Sequence, residues 1–269
     1  MVNHAAAPQD RGMKITHIGG PTALISLGGL NLLTDPAFDE PQDYELPGGR
    51  VMTKLTGPAV PAAELGTIDA VLLSHDQHKD NLDDAGRALL PSIPVVLSTP
   101  GAATRIPGVH GLANWESYDL QRPDGGVLTV TGVPALHGPE GAEAVTGVVT
   151  GFVLSGEGLP TVYVSGDNAS VDLVKQIADR FGPFDVAVLF AGAARTALLD
   201  GAPLTLTTEA AVEAAHLLDP AVIVPVHTEG WAHFSEGPDK VKAAFTAAGL
   251  SDRLRVLDHG VATALTDGV

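Results

Sequence analysis

Three apolar runs in this chain end in histidine, and a fourth ends in aspartate. Ala70–Leu73 (AVLL) leads into Ser74-His75-Asp76-Gln77-His78-Lys79-Asp80-Asn81, Val127–Pro134 into Ala135-Leu136-His137-Gly138, and Val222–Val226 directly into His227. Between the last two, Thr161–Val164 (TVYV) leads into Ser165-Gly166-Asp167-Asn168. An α/β sheet carries its functional groups beyond the C-terminal ends of its strands, where the loops converge. If these strands run roughly parallel, His75, His78, Asp80, His137, Asp167 and His227 share one rim. Neutral imidazoles with carboxylates make a borderline donor set suited to Zn²⁺, Mn²⁺ or Fe. Two such ions about 3.5–4 Å apart, bridged by one carboxylate, would generate hydroxide near neutral pH.

Short apolar or β-branched runs punctuated by Gly, Pro and Asp must position these groups. The pattern predicts strands at Lys14–Ile18, Thr22–Ser26, Leu30–Thr34, Ala70–Leu73, Pro94–Leu97, Val127–Val133 and Val148–Leu154. It continues with Thr161–Val164, Val186–Phe190, Val222–Val226 and Arg253–Leu257. Helices are expected at Asp83–Leu90, Ser170–Phe181, Thr208–Leu218 and Asp239–Ala248, with Gly249 as a C-terminal cap. A hairpin-rich first half thus precedes a half in which strands and helices alternate. That order predicts two packed sheets with helices outside, a four-layer αββα sandwich of the α/β class. No linker divides the chain, so residues 13–269 read as one domain behind a loose tail, 1–12. Pro36–Thr56 and Gly138–Gly147 read as flexible loops of the kind that often cover a site.

Composition narrows the function classes. A hydrophobic fraction of 45% excludes a disordered chain. The 32 acidic against 15 basic residues, a formal charge of −17, argue against nucleic acid and against anionic membrane surfaces. No apolar stretch approaches the ~18 residues of a membrane helix. With no cysteine there is neither a disulfide framework nor a thiolate ligand. The opening residues have no secretory pattern, so a cytoplasmic protein is expected.

Ser74–Asp83 (SHDQHKDNLD) resembles the His-x-His-x-Asp-His signature of the metallo-β-lactamase superfamily. Val133–His137, Tyr163–Asn168 (YVSGDN) and Pro225–His227 resemble its later ligand blocks, in the same order. Ile15–Ile25 and Leu32–Pro36 (LLTDP) look like the branch containing L-ascorbate-6-phosphate lactonase. The likeness spans roughly residues 14–259 and implies a metallo-β-lactamase fold. The first block departs from the pattern. Counted from His75, the second His position is Gln77; counted back from Asp80, His78 has the His-x-Asp spacing. His78 is the better ligand because imidazole binds transition metals more strongly than an amide, leaving Gln77 behind the ligands or on the substrate. Asn81 stands where the signature ends in His. The resemblance implies His75, His78 and His137 on one ion, Asp80 and His227 on another, and Asp167 between them.

Other residues have plainer readings. Asp80 could cap the following helix, Asp35 before Pro36 reads as a turn, and His17 as a packed strand residue beside a Gly19-Gly20-Pro21 hairpin turn. His4, His110, His216 and His259 have no motif around them. Glu229–Glu236, with Trp231, His233 and Phe234, could line or cover a substrate pocket, or form an oligomer contact. The resulting expectation is a hydrolase using a metal-bound hydroxide on a small ester, lactone, amide or phosphodiester. Zn²⁺ (one or two ions), Mn²⁺ or Fe would be its cofactor. Asp80 would steer protons, His233 would donate one, and Gln77, Asn81 or Trp231 would support the site. Its partner would be a small molecule, with a homo-oligomer compatible. The alternatives are a small-molecule phosphodiesterase and, given Gln77 and Asn81, a metal-poor binding protein on the same scaffold.

Overall fold

The computed structural model describes residues 12–266, so the expected tail lies, but for its last residue, outside the described residues. Among them, the strands of the first half are β1 (Lys14–Gly19), β2 (Thr22–Leu27), β3 (Leu30–Thr34), β4 (Gln42–Leu46), β5 (Arg50–Lys54), β6 (Ala70–Leu72), β7 (Val95–Ser98) and β8 (Val109–Gly111). They are followed by β9 (Ser117–Gln121), β10 (Val127–Ala135), β11 (Val149–Ser155), β12 (Val162–Val164), β13 (Val186–Phe190), β14 (Val222–Val226) and β15 (Thr263–Ala264). The helices are α1 (Asp84–Leu89), α2 (Pro100–Arg105), α3 (Glu143–Thr146), α4 (Val171–Phe181), α5 (Thr208–Leu218) and α6 (Pro238–Ala247).

One sheet has the order β15-β1-β2-β3-β6-β7-β8 and the other β14-β13-β12-β11-β10-β9. Each is antiparallel where hairpins build it and parallel beyond, from β3 to β8 and from β12 to β14. Alternation along a strand divides its side chains between two cores. In β13, Val186, Val188 and Phe190 enter the core between the sheets, while Ala187 and Leu189 face the helices. The inner core joins Ile15, Ile25 and Leu72 of the first sheet to Val130, Phe152 and Val188 of the second. Val174, Ala211, Val241 and Phe245 of α4–α6 cover the second sheet; Leu82, Leu90 and Ile106 cover the first. These are the four layers expected of an αββα sandwich, and no described helix is long and apolar enough to cross a membrane.

Three local expectations need correction. Pro36–Thr56 contains the β4–β5 hairpin, turned at Gly48 and Gly49, which both take the left-handed conformation (φ +81° and +72°). Arg253–Leu257 is not a strand: a turn uses residues 251–253, and the segment pairs with β14 through the isolated Leu254–Ile223 bridge. The cap of α1 is Asp83, which accepts from Gly86 N at 2.8 Å, so Asp80 is free of that role.

Candidate metal centre

The parallel parts of the two sheets deliver the donors to one edge. His75, His78 and Asp80 follow β6, Asp167 follows β12, and His227 follows β14. His137 leaves the end of β10, which runs the same way as β12 because both are antiparallel to β11. Close backbone approach lets these turns meet. Gly166 takes φ +57°, and a Cβ there would lie 2.5 Å from Thr150 O; one on Gly192 would lie 1.9 Å from His227 O. His227 itself is left-handed (φ +58°), a strained state held by its N–H to Gly20 O at 2.8 Å. Its ring contacts those of Phe190 and Phe234, with centroids 5.3 Å and 4.0 Å away.

The donors fall into two groups. In the first, His78 Nδ1 lies 2.9 Å from His75 Nε2 and 3.1 Å from His137 Nε2. His137 Nδ1–H donates to Leu204 O at 2.8 Å, and a carbonyl only accepts, so the Nε2 aimed at the group carries a lone pair. Burial and the neighbouring imidazoles His78 and His137 hold His75 well below the ordinary histidine value; burial and His137 lower His78 as well. His75 and His78 therefore face the group as neutral imidazoles. In the second, His227 Nε2 lies 3.3 Å from Asp80 Oδ2 and 3.5 Å from Asp167 Oδ1. Asp167 Oδ2 lies 3.5 Å from His137 Nε2, so one carboxylate faces both groups.

A metal fits these residues. Ions held at about 2.0–2.2 Å by nitrogen and oxygen space their donors roughly 3–3.6 Å apart, as found here. Asp80 Oδ1, Asp167 Oδ2 and both ring nitrogens of His227 are buried without a hydrogen-bond partner. Such atoms are costly unless a cation satisfies them. Burial pushes Asp80 up, but His233 and His227 together hold it well below the usual carboxylate range, so it is an anion.

The family model described as "Beta-lactamase superfamily domain" matches residues 30–228. The chain belongs to the metallo-β-lactamase fold superfamily. It is a metal-dependent hydrolase of that superfamily. A UPF0173 metal-dependent hydrolase of Anaeromyxobacter dehalogenans is 28% identical over 232 residues, 80% of each chain. Among solved structures, an isothiocyanate hydrolase from Delia radicum gut bacteria superposes with a TM-score of 0.77 at 22% identity, covering 96% of this chain and 100% of that one. A diiron β-hydroxylase from Streptomyces venezuelae superposes at 0.66 and 17% identity, covering 96% and 55%. At these identities the structures speak for the shared fold.

The other residues expected at the superfamily site are distributed unevenly. His78, not Gln77, enters the histidine group; Gln77 is exposed and lines a cavity above it. Asn81 is buried, and its Nδ2 donates to Asp167 Oδ1 at 3.1 Å and to Asp35 Oδ2 at 3.3 Å. His233 Nε2 reaches Asp80 Oδ2 at 3.0 Å. Trp231 is buried behind the β4–β5 hairpin, stacked on Tyr44, and does not line that cavity. Asp35, read from the sequence as a turn, also stands at the site. It accepts from Ser74 N at 2.6 Å, and burial with the charge of Asp167 pushes its carboxyl up to about 8. LLTDP at a strand end was the available signal. The cavity above the donors holds about 470 Å³. Val51 and Met52 of β5, Val145 of α3, and Leu198 form apolar walls, with the guanidinium-bearing Arg50 and Arg195 among them.

Proposed function

We propose that this hydrolase acts on a small ester, lactone, amide or phosphodiester at a centre built from His75, His78, His137, Asp80, His227 and Asp167. The observation that carries the reading is Asp167, whose two oxygens face His137 and His227, next to a substrate-sized cavity lined by His78, Asp80 and His137. His75, His78 and His137 would hold one ion, Asp80 and His227 the other, with Asp167 between them. Zn²⁺ suits this thiolate-free nitrogen and oxygen set, as do Mn²⁺ and Fe. Bound divalent cations supply Lewis acidity for a carbonyl or phosphoryl oxygen and make water acidic enough to attack near neutral pH.

The chain's own residues do the rest. Asp80 and Asp167 supply negative charge that neutral imidazoles lack. Asn81 orients Asp167 through its amide, and Asp35 holds the backbone of Ser74 next to His75. His233 faces the cavity with its Nε2 on Asp80, placed to pass a proton to the leaving group. The apolar walls exclude water and favour a substrate with an apolar body. Strand-end similarity through LLTDP supports a lactonase-like substrate. Arg50 and Arg195 favour a second reading, a phosphodiester, because guanidinium groups pair with phosphate oxygens. Residues 13–269 would act as one domain, since both sheets contribute donors.

The test is turnover of chromogenic lactones, esters and phosphodiesters by the metal-loaded chain, beside His137→Ala and Asp167→Ala. Both variants should lose metal-dependent turnover while keeping the fold. Unchanged rates in both would refute the centre.

A further inference from the structure

Another set of donors lies outside the cavity. His17 on β1, Glu229 two residues past His227, and His259 before β15 come from distant parts of the chain. One ring nitrogen of each imidazole and a Glu229 carboxylate oxygen lie within 4.8 Å of one another. We propose that His17, Glu229 and His259 form a peripheral site for a divalent transition cation such as Zn²⁺, separate from the centre in the cavity.

The donor chemistry matches that ion class. Two imidazoles and one carboxylate are a borderline set that favours Zn²⁺ over the hard, oxygen-seeking Ca²⁺ or Mg²⁺. His17 keeps one ring nitrogen available for a ligand. Its Nε2 lies 3.0 Å from Gly20 O, and because a carbonyl only accepts, the ring proton sits on Nε2 and Nδ1 keeps its lone pair. Burial lowers this imidazole to about 4, so it is neutral at physiological pH. The His17 and His259 rings meet edge to face with centroids 4.5 Å apart, and His259 Nε2 lies 3.1 Å from Glu229 Oε1. Backbone contacts fix the arrangement: Gly260 N donates to His17 O at 2.8 Å, holding His259 beside β1. An ordinary surface ion pair would need only Glu229 and His259; it does not account for a buried, neutral imidazole among the same donors. His17 is buried, Glu229 half-buried and His259 exposed, so an ion enters from solvent and keeps positions for water.

The location gives the site a consequence. Gly20 O accepts both from His17 Nε2 and from the backbone N–H of His227. A cation on His17, Glu229 and His259 would tie β1, the loop after β14 and the C-terminal segment together behind the strained backbone of His227. It would stabilise the fold by binding only the native arrangement.

The test counts metal as a difference. The full chain, His259→Ala, Glu229→Gln and His137→Ala are brought to equilibrium with micromolar Zn²⁺ and analysed for bound zinc, with circular dichroism confirming the fold. His259→Ala and Glu229→Gln should each hold one ion fewer per chain than the wild type and show a smaller zinc-induced rise in Tm. His137→Ala should lose zinc from the cavity, and the His137→Ala/His259→Ala pair should lose the sum. Equal zinc content and equal Tm rises in the wild type and His259→Ala would overturn the proposal. Being a difference, the result reads the same whether the cavity takes one ion or two.

Discussion

His233 Nε2 and His227 Nε2 approach the same oxygen of Asp80, at 3.0 Å and 3.3 Å. The two imidazoles differ in burial: His227 is enclosed, whereas the His233 side chain keeps 20% of its surface exposed and borders the cavity. On the proposed centre, that difference would separate holding an ion, for His227, from serving a substrate, for His233. His233→Gln should lower kcat roughly 10²- to 10⁴-fold, the usual range for a lost proton donor, and leave the metal content unchanged. Steady-state kinetics with elemental analysis checks this; metal lost in step with activity would make His233 a ligand instead.

Asp167 should show opposite effects with and without metal. In the metal-free chain its buried Oδ2 has no partner, and its charge raises the neighbouring carboxyl of Asp35. Asp167→Asn removes that charge, while the new amide oxygen can still accept from Asn81. In chelator the variant should therefore melt no lower than the wild type. With Zn²⁺ it should bind less metal, gain less Tm and lose turnover. Melting curves in both conditions decide it, and a variant that melts well below the wild type in chelator would contradict the account.

The donors at strand ends were legible because their signal is local: an apolar run, then His or Asp. Two departures were resolved only by folding. Nothing in SHDQHKDN ranks His78 over Gln77 beyond ligand chemistry, whereas the fold puts the His78 ring against His75 and His137. Asp35 was hidden because Asp-Pro signals a turn; its burial depends on Ser74, 39 residues away, and on Asn81, 46 residues away. The β4–β5 hairpin was hidden for a similar reason. QDYEL has one buried side chain, Tyr44, and its place over the site comes from Tyr44 on Trp231 and Lys54 on Asp83, contacts no local pattern encodes.

Lys54 anchors that hairpin. Its ammonium is buried (4% exposed), 2.8 Å from Asp83 Oδ2 and 3.0 Å from Ala37 O, above the ring of Trp231. Asp83 also caps α1 and accepts from Asp39 N. Lys54→Met would leave a buried carboxylate unpaired, which costs about 3–5 kcal/mol. Urea unfolding should show that loss, and Lys54→Met/Asp83→Asn should recover part of it. Because β5 carries Arg50, Val51 and Met52 into the cavity, KM should rise more than kcat falls. A stability change below 1 kcal/mol would mean the pair behaves as an exposed one.

His17 makes a pH dependence that can be measured without metal. Its folded-state value, about 4, lies below the 6.5 of a free imidazole because burial disfavours the charged ring, with His259 opposite adding to the effect and Gly20 O opposing it. Between those values the unfolded chain binds more protons than the folded one, so this contribution rises with pH. It is fully present above about 6.5 and is lost as pH falls toward 4, by roughly 3 kcal/mol at 1.36 kcal/mol per unit. Asp35, raised to about 8, acts oppositely over much of that range, since its folded form binds the extra proton. Total stability therefore cannot isolate His17, but the difference between the wild type and His17→Gln can. Urea midpoints in chelator should show the wild type losing more stability than His17→Gln between pH 7 and pH 4.5. Parallel curves for the two proteins would place the imidazole in water, not in the buried position it has on β1.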